Sequence, residues 1–308
     1  MIHTAEAITE AYAQHGSKRA AAKALGVPRD TFRRWLSALQ NGKQPRSRRV
    51  QSATRRHKRV LVLADLHCGH VIGLTPPGWW AGEQRELQQE MWCWYEREIQ
   101  TLGEIDICLV AGDCVDGKGK RSGGVEQLTS DMLAQTDMAT TCLKVARAKE
   151  YVLVHGTPYH VGPDGEHYER IVARNLGAPI SGHDWIDVNG CVFDLKHKVG
   201  GSTISHGRHT AVAKEKLWNT LWSLRKMAPK ANVILRGHVH YHLDCGGIGW
   251  RAMTLPALQG PGSFYGVEQC SGEVDFGFVV FDVTPEGRPT WEVHEYQPKI
   301  GAPVARVL

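Results

Sequence analysis

Apolar residues fall into two kinds of pattern along this chain. Near the start they recur at helical spacing. Residues 3–14 read as one helix, and Gly16-Ser17 breaks it. Ser17 is placed to cap a second helix, KRAAAKAL, which stops at Gly26. Val27-Pro28-Arg29-Asp30 turns the chain into a third helix from Thr31 to Leu39, with Phe32, Leu36 and Leu39 on its apolar side. From residue 59 onward the pattern changes to short unbroken apolar runs: VLVLA, ICLV, YVLV, VIL and later FGFVVFDV. Such runs predict strands buried on both faces, and LQQEMWCWYEREIQ between them predicts a helix whose aromatic groups pack. The pattern therefore predicts a small three-helix domain at 1–41, a linker at 42–58, and an α/β domain at 59–308.

Charge divides the chain at nearly the same place. Residues 1–60 hold 14 Lys or Arg against three Asp or Glu, a net of +11, whereas the remaining 248 residues hold 23 against 29, a net of −6. The stretch GKQPRSRRVQSATRRHKR at 42–59 contains eight Lys or Arg among Gly, Pro, Ser and Gln, the composition of a flexible basic linker. It would be drawn to a phosphate backbone, or serve as a plain solubilising tether. No apolar window is long enough to span a bilayer, so no membrane association is expected. The eight cysteines show no CxxC spacing, and several lie in apolar runs. Free thiols in a reducing, cytoplasmic setting follow from that usage and from a first segment unlike a secretory signal.

The head carries the pattern AAxxLGVxxxTxxRxL at residues 21–36. This resembles the helix-turn-helix of resolvases and invertases. The resemblance implies a third helix that presents Arg29, Thr31, Arg33 and Arg34 to a DNA major groove; a protein-binding or scaffolding role is the alternative.

In the larger domain, successive apolar runs end in Asp or His. VLVLA leads to Asp65 and His67. ICLVAG leads to Asp113, with Asp116 three residues on. YVLV leads to His155-Gly156-Thr157-Pro158-Tyr159-His160. DLK leads to His197, and VILRG to His238 and His240. Any one of these is commonly an ordinary polar strand end, but their recurrence points to one pocket. As the series DxH, GDxxD, GNH, His and GHxH, the chain resembles the calcineurin-like metallophosphoesterase superfamily over residues 59–285.

That resemblance implies a two-sheet α/β sandwich flanked by helices, with the late strands FGFVVFDV and TWEVHEY completing the second sheet. It also implies a site for two divalent ions. Asp65, His67 and His240 would hold one ion and His197 and His238 the other, with Asp113 bridging. His160 would be the catalytic histidine, and Asp116 would support it or the local turn. The third motif departs from the family: Thr157 stands where the family has a ligating Asn, and two extra residues precede His160. Either the Thr157 hydroxyl ligates or His155 turns inward.

Mixed carboxylate and imidazole donors suit manganese, iron, nickel or zinc better than magnesium, and manganese is favoured. The implied chemistry is phosphoester hydrolysis by a hydroxide shared between the ions. Lys118, Lys120 and Arg121 lie in the glycine-rich loop after Asp116, and Arg208 follows the His197 segment. Each is a candidate contact for nucleic acid or merely a solvated cation. Trp79-Trp80 can stack bases or cover the core. A nuclease or phosphodiesterase acting on DNA unites the two halves; the family resemblance alone implies a bacterial or phage setting, and homo-oligomers are compatible with it. The alternatives are a phosphomonoesterase for protein or small-molecule phosphates, and a non-catalytic DNA-binding structural or regulatory protein.

Overall fold

The computed structural model describes residues 5–27, 29, 32–33, 36, 56–120, 122–160, 167–202, 204–263 and 273–299. The chain divides into two compact units, 1–55 and 56–308. In the first, α1 (Ala5–His15) and α2 (Lys18–Ala24) are joined at Ser17, whose extended backbone lets its hydroxyl accept from the Ala20 N–H at 3.2 Å. Ile8, Ala11, Ala21, Ala22, Phe32 and Leu36 form its core. Arg29 and Arg33 are exposed in helical backbone. Thr31, Arg34 and Leu39, and most of the 42–58 linker, lie outside the described residues.

Among the described residues, the second unit is built on eleven strands in two sheets. The first sheet has the order β11-β10-β1-β2-β3-β4 and the second β5-β6-β7-β9-β8. In chain order these are β1 (Lys58–Leu63), β2 (Ile107–Val110), β3 (Glu150–Val154), β4 (Ile180–Ser181), β5 (Asp184–Val188), β6 (Cys191–Lys196), β7 (Val233–Arg236), β8 (Leu243–Gly247), β9 (Trp250–Thr254), β10 (Phe276–Val283) and β11 (Pro289–Tyr296). Alternation along β1 shows how the layers form. Val60, Val62 and Ala64 face the second sheet, meeting Phe193, Leu195, Val233 and Leu235. Leu61 and Leu63 point to the opposite face, where α3 (Arg85–Thr101), α4 (Met132–Lys144) and α5 (Glu169–Leu176) cover them. The outer face of the second sheet packs Ile234 and Ala252 against Val212 of α6 (Arg208–Leu224). The expected two-sheet α/β sandwich flanked by helices is therefore the observed architecture.

One expectation is corrected. The late strands β10 and β11 complete the first sheet, not the second. β10 pairs antiparallel with β1, Lys58 opposite Val283 and Val62 opposite Val279, and β11 extends that edge. The second sheet closes instead on the β8–β9 hairpin. β10, buried at seven of its eight positions, needs a neighbour on each side rather than an exposed edge. Trp79 and Trp80 pack on the core beneath the first sheet, and Trp80 Nε1 donates to the Thr75 carbonyl at 2.9 Å. Cysteines 68, 93, 108, 114, 142, 191 and 245 are free thiols. No helix among the described residues is long and apolar enough to cross a membrane.

Candidate metal centre

β1, β2 and β3 run parallel in one sheet, and β6 and β7 run parallel in the other. The carboxyl ends of such strands are where α/β sheets open crevices. The first residues past those ends are the Asp and His singled out in the sequence. The turns that deliver them are sharp. Of eight described non-glycine residues with positive φ, five are Asp65, His67, Asp113, His238 and His240. Left-handed backbone costs roughly 1–2 kcal/mol per residue, so five instances in one constellation mark a site held by its surroundings.

The donors converge in abutting groups: Asp65 with His67 and His240, His67 with Asp116 and His160, and Asp113 with His197 and His238. His67 Nε2 lies 3.2 Å from His240 Nε2, and His240 Nε2 lies 3.2 Å from Asp65 Oδ1. The Asp65 carboxylate also receives the His238 backbone N–H at 3.0 Å, which ties the β7 loop to β1. Asp113 Oδ2 stands between the groups, 3.0 Å from His197 Nε2, 3.7 Å from His160 Nε2 and 3.9 Å from His67 Nε2.

Thr157 belongs to the same cluster. Its hydroxyl is 3.2 Å from Asp113 Oδ2, 3.0 Å from His197 Nε2 and 3.1 Å from His238 Nδ1. Its backbone N–H donates to Asp113 Oδ1 at 2.6 Å. His155 points elsewhere: its ring stacks at 4.6 Å on His167, and its Nδ1 is 3.7 Å from Glu169 Oε2. The structure thus brings Thr157 to the donor set and leaves His155 outside it.

Second hydrogen bonds select the free nitrogens. His197 Nδ1–H donates to the Ala111 carbonyl at 2.7 Å, leaving Nε2 for the cluster. Asp116 serves two histidines. Its Oδ1 is 2.8 Å from His67 Nδ1, and its backbone carbonyl is 2.5 Å from His160 Nδ1. The support expected from Asp116 for His160 therefore comes chiefly from the main chain, while its carboxylate fixes His67.

This donor set fits divalent cations. Ions bonded at about 2.1 Å hold ligands at right angles about 3.0 Å apart, near the spacings around Thr157 Oγ1. Burial pulls the His197 imidazole down, but Asp113 outweighs it and pushes the pKa up to about 9. Burial likewise opposes ionisation of His67, and Asp116 and Asp65 raise it well above its ordinary value. Asp65 and Asp113 are lowered: burial raises each, and the facing histidines more than offset it. His238 is lowered by burial and by His197.

Three supports escaped the sequence. Glu169, at the start of α5 and 1% exposed, accepts from Cys114 N at 3.0 Å and from Gly156 N at 2.8 Å. Gln127 donates to Asp116 Oδ2 at 2.5 Å, and Gln135 ties Gly117 to the head of α4. Nothing in the local pattern distinguishes these from solvent-facing polar residues. Gly156 is legible only in three dimensions, because an added Cβ would overlap the Asp113 carboxylate.

Of the basic candidates, Lys118 and Lys120 are exposed on the loop beyond Asp116, and Arg121 lies outside the described residues. Arg208 pairs with Glu273 at 2.5 Å, its guanidinium 4.2 Å above the Tyr241 ring, beside His240.

No protein-family model matches the chain, and no curated protein matches it. Among solved structures, Vps29 from Cryptosporidium parvum is 13% identical, with 79% of this chain and 99% of that one covered and a TM-score of 0.41. A zinc complex of Vps29 from Entamoeba histolytica is 16% identical, with 77% and 98% covered and a TM-score of 0.37. A structure described as a novel archaeal phosphodiesterase is 11% identical, with 77% and 99% covered and a TM-score of 0.38.

Proposed function

We propose that this chain is a divalent-metal-dependent phosphoesterase of the calcineurin-like metallophosphoesterase type that hydrolyses phosphodiesters in DNA. The observation that carries the reading is the convergence of donors from five strand ends into abutting groups around Asp113. In this reading Asp65, His67 and His240 hold one ion, His197, His238 and Thr157 hold a second, and Asp113 contributes to both. Two bound ions, manganese in preference, supply Lewis acidity: they offset phosphate charge and lower the pKa of water.

The chain's own residues do the rest. His160 is anchored through Nδ1 to the Asp116 carbonyl, so Nε2 is the atom left to protonate a leaving oxygen. Its ring stands edge-on to His67, with centroids 4.7 Å apart, which places it beside the first group of donors. Asp116 aligns His67 and His160 together. Lys118 and Lys120 lie one short loop away, where phosphates flanking the scissile one would be met. The net charge of +11 over residues 1–60 favours a polyanionic substrate, with Arg29, Thr31, Arg33 and Arg34 in the DNA-facing role.

The test is manganese-dependent hydrolysis of end-labelled single- and double-stranded DNA by the full chain and by Asp113→Asn and His160→Ala. Cleavage that disappears in both variants supports the reading. Intact DNA alongside confirmed metal uptake would exclude DNA as substrate and favour a monoesterase.

A further inference from the structure

Besides the Lys118–Arg121 loop, the acidic second unit holds another basic segment. Residues 61–308 carry a net of −6, yet residues 204–230 hold six Lys or Arg against the single acid Glu215. Glu215 is engaged with buried Arg236 at 2.8 Å, so it does little to neutralise that surface. Lys214, Arg225 and Lys226 are exposed on α6 and just beyond it.

The same helix carries four of the nine exposed large apolar residues among the described residues, and a fifth lies just beyond its end. Leu217 is 57% exposed, Trp218 51%, Leu221 38% and Leu224 75%, with Met227 next to them at 71%. Leu217, Leu221 and Leu224 share one side, while Trp218, Trp222 and Arg225 share the adjoining side. Trp218 heads a row of rings. Its centroid is 6.3 Å from Trp222, Trp222 is 6.3 Å from His183, and the His183 ring lies 4.0 Å from Trp185, tilted by 32°. Flat rings beside leucines and flanked by cations form a surface on which unstacked bases can lie while their phosphates meet Lys and Arg.

A duplex hides its base faces, so this surface discriminates in favour of single strands. A second copy of this chain would bring the same cations against themselves. The helix also starts near the metal centre. α6 begins at Arg208, which covers the Tyr241 ring beside His240, and Trp218–Trp222 follow about 15–21 Å along the helix axis.

We propose that the exposed face of α6, centred on Trp218 and flanked by Lys214, Arg225 and Lys226, binds single-stranded nucleic acid leading to or from the metal centre. This rests on the phosphodiesterase reading of that centre.

The test uses the full chain in EDTA, so that no turnover occurs. A fluorescein-labelled single-stranded 20-mer and the matching duplex are titrated by anisotropy against wild type, Trp218→Ala and the Arg225→Glu/Lys226→Glu double variant. Circular dichroism checks that each variant is folded. Stacking losses of this kind predict about tenfold weaker single-strand binding for Trp218→Ala, with duplex binding changed less than twofold. The double variant should lose a similar factor and show a shallower salt dependence. A 5-iodouracil-substituted strand should photo-cross-link to the peptide containing Trp218.

Unchanged single-strand affinity in both variants would overturn the proposal. So would loss of self-association, or of binding to phosphatidylserine vesicles, with DNA binding intact. Manganese-dependent hydrolysis of bis(4-nitrophenyl) phosphate by the wild type reports on the centre separately. Its absence defeats the phosphodiesterase reading, whereas its presence with unaltered DNA binding in the variants defeats only the α6 proposal.

Discussion

Replacing Glu169 tests how the centre is held together. Its two carboxylate oxygens serve different loops: Oε1 accepts from Cys114, next to Asp113, and Oε2 accepts from Gly156, next to Thr157. Glu169 and Cys114 are both buried, so the Cys114 N–H has no water to turn to when the acceptor is removed, whereas Gly156 is half-buried. A buried, unsatisfied N–H costs about 1–3 kcal/mol. Glu169→Gln keeps one oxygen and sets an amide N–H against the other donor, for an expected loss of about 2–3 kcal/mol. Glu169→Ala removes both acceptors and should cost about 2–6 kcal/mol. Asp113 is held by the Thr157 N–H at 2.6 Å, so loosening either loop also misplaces a ligand. Manganese affinity in the Gln variant should fall at least tenfold, the equivalent of about 1.4 kcal/mol. Urea unfolding of the metal-free protein measures the first effect and calorimetric manganese titration the second. A Gln variant within about 0.5 kcal/mol of wild type, with an unchanged titration, would refute the idea that Glu169 clips the two loops together.

Four other outcomes follow from the site. Thr157→Val keeps the shape and removes the hydroxyl, so one of two manganese binding steps should weaken about tenfold; identical isotherms would make Thr157 a bystander. Metal uptake should be pH-linked, because His197, pushed up to about 9, and His67, also raised, must release protons to ligate. Affinity should therefore climb as pH rises from 6 towards 9, and titrations in buffers of different ionisation enthalpy should detect the released protons. Without metal the sign for stability is opposite. The raised His197 stabilises fully below its unfolded value of 6.5 and loses that contribution as pH passes through about 9, so the metal-free protein should unfold more easily at pH 9 than at pH 6.5. Gly156→Ala should lower the melting temperature by several degrees, since overpacking of about 1–3 kcal/mol at the Asp113 carboxylate cannot be relieved without moving a ligand.

Much of this site could be read in one dimension because strand ends punctuate the sequence. Apolar runs stop where the chain leaves the sandwich, and Asp65, His67, Asp113, His197, His238 and His240 sit at those stops. What could not be read is what lies across space. Glu169 is an ordinary acid in a first helical turn until α5 brings it under two loops from β2 and β3. The left-handed backbone at five donors has no signature in residues that are neither Gly nor Asn. The choice between Thr157 and His155 depended on where a five-residue loop folds back, which side-chain chemistry alone does not decide. Strand order failed for a similar reason: β10 reads as a buried strand from its composition, but its partner β1 is more than two hundred residues away, and pattern does not name partners. The leucines of α6 recur at helical spacing, which does not say which side is covered; the packing of Val212 against the second sheet does.

The central claim is that Asp113 lies between two ions. The most direct measurement is anomalous scattering at the manganese edge from crystals of the full chain grown with manganese. Two peaks about 3.5–4 Å apart are predicted, one against Asp65, His67 and His240, the other against His197, His238 and Thr157, with the Asp113 carboxylate contacting both. A single peak, or strong peaks only outside this cluster, would contradict it.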